Sequence, residues 1–252
     1  LAQLLARKTL AYSQLHFGRN LTGRHSITRA LLQLRSLSIA GYNCGEARNI
    51  LELGPGSGFL SLLMALTGHA VSTVDVAQAF ALHQAALFSH FFPDTFPQIS
   101  LRNFESPDAT HQTGRIRQIP WWVYANLDYK PGKFDLVVVN HALSEFHWDA
   151  LHYTMEYFGR LHTSLHGSSP IIIAESLGAG FLPHQKVLRH FNQYGWGYEL
   201  DSHFHIFRYN PSVANLQMNT ARQREKLNLR KQKWGSLLLV RALRKAKRLG
   251  YQ

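Results

Sequence analysis

Apolar residues in the first forty positions recur at helical spacing. Leu1, Leu4, Leu5 and Leu15 fall in a helix predicted over 1–17, and the segment Gly18–Gly23 interrupts it. A second helix is predicted from Ser26, read as its N-cap, to Ala40, with Ile27, Ala30, Leu31, Leu34 and Leu37 on one stripe and Gly41 ending it. Beyond residue 46 the pattern changes to short apolar runs separated by helical stretches. Strands are predicted at Ile50–Leu53, Ala70–Asp75, Ile99–Leu101, Phe134–Val139 and Pro170–Ala174. Helices are predicted at Phe59–Leu66, Ala77–Phe91, Ser144–Leu165 and His184–Tyr194. Such alternation implies a mostly parallel sheet with helices on both faces. Leu200–Tyr209 alternates like a strand with one exposed side. Leu237–Val240 fits either the last, antiparallel strand or the apolar face of a basic helix, and the strand is preferred. The chain thus divides into a helical N-terminal cap, 1–46, and an α/β domain, 47–252.

A chain of 252 residues can bury a full core in one domain. It contains no apolar run near the ~18 residues of a membrane span, and no short apolar leader with a cleavage site. One cysteine, Cys44, forms no internal disulfide and builds no cysteine-based metal site, so a cytoplasmic setting is expected. Charge is unevenly placed. Of 27 Lys and Arg, eleven lie in 219–252 with one acid, Glu225, which leaves 16 bases and 14 acids to residues 1–218. A near-neutral body does not suggest a dedicated nucleic-acid surface, whereas a basic tail suits several functions.

The informative stretch is Ile50-Leu51-Glu52-Leu53-Gly54-Pro55-Gly56-Ser57-Gly58-Phe59. A strand ending in an acid runs into three alternate glycines at a helix start, where backbone turns tightly and a ligand can approach without meeting a Cβ. A dinucleotide-binding loop wants glycine at the sixth position, which here is Phe59. The order acid-x-Gly-x-Gly-x-Gly instead resembles the first motif of Rossmann-like S-adenosylmethionine-dependent methyltransferases. Asp75 closes the second strand, where an acid can accept hydrogen bonds from both ribose hydroxyls of a nucleoside. The resemblance covers about residues 47–210. It implies a seven-stranded sheet, mostly parallel with its last strand antiparallel, and S-adenosylmethionine as methyl donor. It carries Glu52, Gly54, Gly56 and Gly58 over to the methionine end of the cofactor and Asp75 to the ribose. Asn103, just past the expected third strand, is carried over to the adenine, and Asn140 joins the cofactor-contacting set.

In this family the acceptor chemistry follows the fourth strand, here Asn140-His141-Ala142-Leu143-Ser144-Glu145-Phe146. The Asn/Asp-Pro-Pro-aromatic turn of base-amine methyltransferases is absent, and Cys44 lies upstream of the cofactor loop, unlike a pyrimidine-carbon nucleophile. Glu156 falls inside a predicted helix, unlike the paired loop glutamates of arginine methyltransferases. Oxygen or simple nitrogen methylation remains. A hydroxyl is a poor nucleophile until deprotonated, so His141 is the candidate general base and Glu145 its orienting or substrate-binding partner. Each also has a plain reading, His141 as a pocket-lining loop residue and Glu145 as a first-turn helix acid. The run Asn140–Phe146 is loosely similar to sugar O-methyltransferases of polysaccharide assembly, which implies a small-molecule or glycan hydroxyl acceptor. No metal is expected.

Ile119-Pro120-Trp121-Trp122-Val123-Tyr124 either walls a substrate pocket or packs under a long loop. His203 and His205 share one face of a strand without an evident third ligand, and read as ordinary strand histidines. Arg19 and Arg24 reach the cofactor carboxylate if the helical cap folds over the site, and are otherwise solvated. The segment 219–252 fits contact with anionic membrane, contact with RNA phosphates, or a solvated helix. Two other functions stay open: an RNA methyltransferase using that tail, and a non-catalytic cofactor-binding scaffold subunit.

Overall fold

The computed structural model describes residues 1–21, 23–39, 48–94, 116–125, 134–140, 142–163, 170–175, 183–201 and 204–210. Two helices, α1 (Ala2–Phe17) and α2 (Arg24–Ile39), precede the sheet. There follow β1 (Asn49–Leu53), α3 (Phe59–Leu66), β2 (Ala70–Val74), α4 (Gln78–Phe91), β3 (Ile116–Gln118), α5 (Trp121–Tyr124) and β4 (Leu136–Val138). The described chain is completed by α6 (Ala142–Glu145), α7 (Trp148–Thr163), β5 (Ile171–Ala174), α8 (His184–Gln193), β6 (Trp196–Asp201) and β7 (Phe204–Tyr209).

The seven strands form one sheet in the order β3-β2-β1-β4-β5-β7-β6. The first five are parallel, and β7 runs antiparallel to both β5 and β6. This is the α/β sheet flanked by helices that the alternating pattern predicts, with the seven strands and antiparallel last strand of the Rossmann-like fold that the resemblance implies. Its central strands are buried on both faces, so Ile50, Leu51, Val137 and Val138 are inaccessible to solvent. One face carries a core of Leu5, Tyr12, Ile27, Leu34 and Leu37 from α1 and α2 together with Leu62, Leu63, Leu87 and Phe88 from α3 and α4. The helical cap therefore shares the sheet's own core. The other face is closed by Leu151, Met155, Phe158, Val187 and Phe191 from α7 and α8.

Four elements differ from the sequence-based expectation. The strand pairing with β2 is Ile116–Gln118, and the segment 99–101 lies outside the described residues. The α2 helix starts at Arg24, not at a Ser26 cap, because Gly23 with φ +55° supplies the turn and its carbonyl accepts from Ile27 N–H at 2.9 Å. The helix expected over 144–165 is split into α6 and α7 at Phe146-His147, where His147 Nδ1 accepts from the Asp149 N–H at 3.4 Å and Leu151 N–H reaches the His147 carbonyl. The strand expected at 200–209 is a hairpin, β6 and β7. The sheet's last, antiparallel strand is thus Phe204–Tyr209 and not Leu237–Val240, which lies outside the described residues.

Candidate active site at the carboxyl edge of the sheet

In an open α/β sheet, ligands bind where successive strands run off in opposite directions from a central pair. Here β2 lies on one side of β1 and β4 on the other, so the crevice opens between the carboxyl ends of β1 and β4. Leu53 pairs with Val74, Glu52 with Val138, and Val138 with Ile173. Continuing those registers past the strand ends brings Asp75, Gly54, Asn140 and Glu175 to neighbouring points along one edge. The site is therefore a consequence of register, and residues separated by a hundred positions meet there.

The glycine loop sits at its centre. Gly54, Gly56 and Gly58 have φ of +67°, +55° and +76°, a left-handed conformation that side chains disfavour. Gly54 N–H still bonds to the Val74 carbonyl at 2.8 Å, so the loop leaves β1 while tied to β2. A Cβ on Gly54 would meet Ala142 Cβ at 2.6 Å, whereas one on Gly56 would meet nothing within 4 Å. Gly54 thus allows chain to pack on chain, and Gly56 leaves open space over the loop.

Glu52 is buried beneath this loop, on the face of β1 that α3 covers, and Ser61 of α3 donates its hydroxyl to Glu52 Oε2. Burial pushes the Glu52 carboxyl up to about 7, against the opposing hydrogen bond from Ser61 and with a smaller push from the charge of Asp75. A carboxyl held there exchanges its proton near neutrality. Asp75, partly exposed, holds the loop in place. Its Oδ2 accepts from Gly56 N–H at 3.2 Å and from Gln84 Nε2 at 3.0 Å, and its Oδ1 from Ala77 N–H at 2.9 Å at the start of α4.

Gln84 is a residue of this edge that the sequence reading missed. It is buried on α4 and also donates to the Gly56 carbonyl at 2.7 Å, while Gln118 of β3 donates to Gln84 Oε1 at 3.1 Å and to the Ala81 carbonyl at 2.9 Å. The signal was present: Gln84 is a polar residue on the stripe formed by Leu87, Phe88 and Phe91.

Asn140 follows β4 directly. It is 8% exposed, and both its Oδ1 and its Nδ2 are buried without a hydrogen-bond partner among the described residues. An unpaired buried amide costs stability of about 1–3 kcal/mol unless a ligand satisfies it. The groups at this edge suit a polar nucleoside-type ligand: an open glycine cradle, a carboxylate, a buried carboxyl and an unsatisfied carboxamide.

The remaining candidates are less closely gathered. His141 and Asn103 lie outside the described residues, and the position after β3 is filled by Ile119, which is buried. Glu145 is exposed at the end of the four-residue α6 and so caps no long helix. Gln33 of α2 donates to Glu175 Oε2, with Arg29 Nη2 3.7 Å from the same oxygen, so the cap reaches the far end of this edge. Gly23 packs against the Phe59 ring at the start of α3, which brings Arg24 to that edge, although Arg19 and Arg24 are both exposed. The aromatic stretch after β3 divides between roles: Trp121 is exposed, whereas Tyr124 is buried against Tyr153 and Tyr157. His205 stacks on Tyr198 and its Nδ1 lies 3.0 Å from the Tyr198 hydroxyl, while His203 lies outside the described residues, as does the segment 219–252. Among the described residues no three His, Cys, Asp or Glu gather as metal ligands. No helix there is long and apolar enough to cross a membrane.

No protein-family model matches the sequence, and no curated protein matches it. Solved structures of similar architecture do. A TehB-like SAM-dependent methyltransferase from Corynebacterium glutamicum is 14% identical, with a TM-score of 0.46, over 74% of this chain and 100% of that one. Magnesium protoporphyrin IX methyltransferase from Synechocystis, with bound SAM, is 13% identical, with a TM-score of 0.43, over 72% of this chain and 77% of that one. Ribosomal protein L11 methylase from Lactobacillus delbrueckii subsp. bulgaricus is 16% identical, with a TM-score of 0.44, over 75% of this chain and 82% of that one.

Proposed function

We propose that this chain is an S-adenosylmethionine-dependent methyltransferase that transfers a methyl group to a hydroxyl of a small-molecule or sugar-type acceptor. The observation that carries the reading is the buried, unpaired carboxamide of Asn140 beside a glycine loop whose Gly56 leaves open space, at the strand switch between β1 and β4. The residues present fit the cofactor. Glu52 and the Gly54–Gly58 loop would hold the methionine end, with its ammonium, Asp75 the ribose hydroxyls, and Asn140 a further polar group through its two orphaned atoms.

When bound, the cofactor supplies a methyl group activated on a sulfonium, so transfer needs no redox partner. The chain's task is then to hold the acceptor oxygen in line and remove its proton. His141, next to Asn140, is the proposed base. It is proposed to take the hydroxyl proton on an imidazole nitrogen. Glu145 is proposed to bind a second acceptor hydroxyl or orient that imidazole. Glu52, whose carboxyl burial pushes up to about 7, would face that ammonium as a carboxylate, which would make binding pH-dependent around 7.

The test is calorimetric titration of S-adenosylmethionine and of NAD into the purified chain, with Asp75→Asn and Asp75→Ala as variants. S-adenosylmethionine alone should bind in the micromolar range. Both variants should weaken it, and Asp75→Ala more, because it also removes acceptors that hold Gly56 and the start of α4. Labelled-methyl transfer to a panel of sugars and hydroxylated small molecules then tests the acceptor. There His141→Gln should cut turnover by about a hundredfold or more with little change in cofactor affinity. Binding of NAD in place of S-adenosylmethionine, or of neither, overturns the assignment. Methylation confined to RNA or protein refutes the acceptor class.

A further inference from the structure

Packing holds two of the three loop glycines and leaves the middle one to hydrogen bonds. A Cβ on Gly54 would meet Ala142, and one on Gly58 would meet the Phe88 ring at 3.0 Å and Gln84 Cγ at 3.1 Å, whereas Gly56 faces open space. What fixes Gly56 is therefore the bonding of its own peptide groups. Its N–H donates to Asp75 Oδ2 at 3.2 Å, and its carbonyl accepts from Gln84 Nε2 at 2.7 Å. Gln84 Nε2 donates as well to that same Asp75 Oδ2, at 3.0 Å, so one carboxamide holds the loop and the carboxylate together.

The direction of this amide is chemically forced. The Gly56 carbonyl and the Asp75 carboxylate can only accept, so both Nε2 protons of Gln84 are committed to them and its Oε1 turns away. There Oε1 accepts from Gln118 Nε2 at 3.1 Å, and the other Gln118 amide proton goes to the Ala81 carbonyl at 2.9 Å. The Ala81 carbonyl thus orients Gln118, Gln118 orients Gln84, and Gln84 delivers two donors to the site. Gln84 is 1% exposed and Gln118 7%, so water hardly competes for these bonds. Burial at this position does not by itself call for an amide, since α4 buries Leu87, Phe88 and Phe91 along the same stripe. Among the described residues Asp75 Oδ1 accepts from the Ala77 N–H alone, at 2.9 Å. A carboxylate oxygen has two lone pairs, so Oδ1 keeps an acceptor direction for a ligand hydroxyl.

We propose that Gln84 is a positioning residue for the cofactor, which rests on the S-adenosylmethionine reading. It sets the Asp75 carboxylate so that Oδ1 is available to the ribose, and it clamps the Gly56 peptide at its carbonyl while Asp75 clamps the N–H. Both groups are then ordered before the ligand arrives, which removes that ordering cost from binding. Gln118 acts one bond further back, by keeping the Gln84 amide turned the right way.

Calorimetric titration of S-adenosylhomocysteine into the full chain tests it, with Gln84→Met, Gln84→Glu and Gln84→Glu/Asp75→Asn as variants. Gln84→Met keeps the length and loses both donors, so affinity should fall about tenfold or more while circular dichroism matches the wild type. Gln84→Glu sets a second carboxylate against Asp75. Relative to the wild type at the same pH, its affinity should drop about a hundredfold at about pH 8. It should recover about tenfold or more at about pH 5.5, where one proton shared by the two carboxyls replaces the lost donor. The double variant has no carboxylate pair, so this pH dependence, taken relative to Asp75→Asn, should vanish. Gln118→Met serves if the Gln84 variants do not fold, with a loss of about threefold. Gln84→Met binding as tightly as the wild type overturns the proposal. So does a Gln84→Glu loss of equal size at both pH values, which makes Gln84 structural only. A wild type that does not bind S-adenosylhomocysteine removes the cofactor reading itself, and this role of Gln84 with it.

Discussion

Alanine at Gly54 and at Gly56 should separate packing from ligand binding. Both glycines sit at positive φ, +67° and +55°, where a Cβ costs about 1–2 kcal/mol of backbone strain. At Gly54 the added methyl lies 2.6 Å from Ala142 Cβ, far inside the ~3.5–4.0 Å of a normal carbon contact. Ala142 is itself buried in the core under β4, so relief requires α6 to move, an overpacking cost of about 1–3 kcal/mol more. Gly54→Ala should therefore lose about 2–5 kcal/mol, and Gly56→Ala only the strain of about 1–2 kcal/mol. Urea unfolding followed by circular dichroism measures both. The order reverses for the ligand: Gly56→Ala puts a methyl into the open space over the loop, so S-adenosylmethionine binding should fall at least about tenfold, measured by calorimetry on fully folded protein. Equal losses of stability at the two positions would refute the steric account. A Gly56→Ala protein that binds like the wild type would refute the cradle.

Three further outcomes are expected. Folding raises the Glu52 carboxyl from 4.5 to about 7, so the stability it contributes is complete below 4.5 and is lost as pH climbs through about 7. Glu52→Gln removes that slope and should gain on the wild type by roughly 3 kcal/mol between about pH 5 and about pH 8, read from urea midpoints. Burial lowers His190 to about 4, so its contribution is present above 6.5 and lost as pH falls through about 4. His190→Gln should accordingly flatten the acid side of the melting-temperature profile, and an unchanged profile would remove His190 as its source. Asn140→Leu replaces an unpaired buried amide with a side chain of similar size. It should hold or raise stability by about 1 kcal/mol while weakening cofactor binding at least about tenfold, and a loss of stability would show that the amide is paired in solution.

The sequence by itself determined what is local. Helix and strand periods mark α1, α3, α4, β1, β2 and β5 to within about two residues, because each buries a face written within its own span. The acid-glycine loop was equally legible, since Gly54, Gly56 and Gly58 are needed for backbone reasons that neighbouring residues set. What tertiary structure alone decided is long-range pairing. β3 is only Ile-Arg-Gln at the sheet edge, with Arg117 Nε donating to Ser72 Oγ at 2.7 Å, so its strand character comes from β2 and not from an apolar run. The α6–α7 break depends on His147 bonding backbone in the next turn, and the β6–β7 hairpin on β7 finding β5, neither of which hydrophobic spacing records. The site followed the same division. Glu52 and Asp75 could be named from the motif, but the Gln118–Gln84–Asp75 chain and the orphaned amide of Asn140 exist only after register has joined β3, β2, β1 and β4, because a hydrogen bond depends on distance in space and not on separation along the chain.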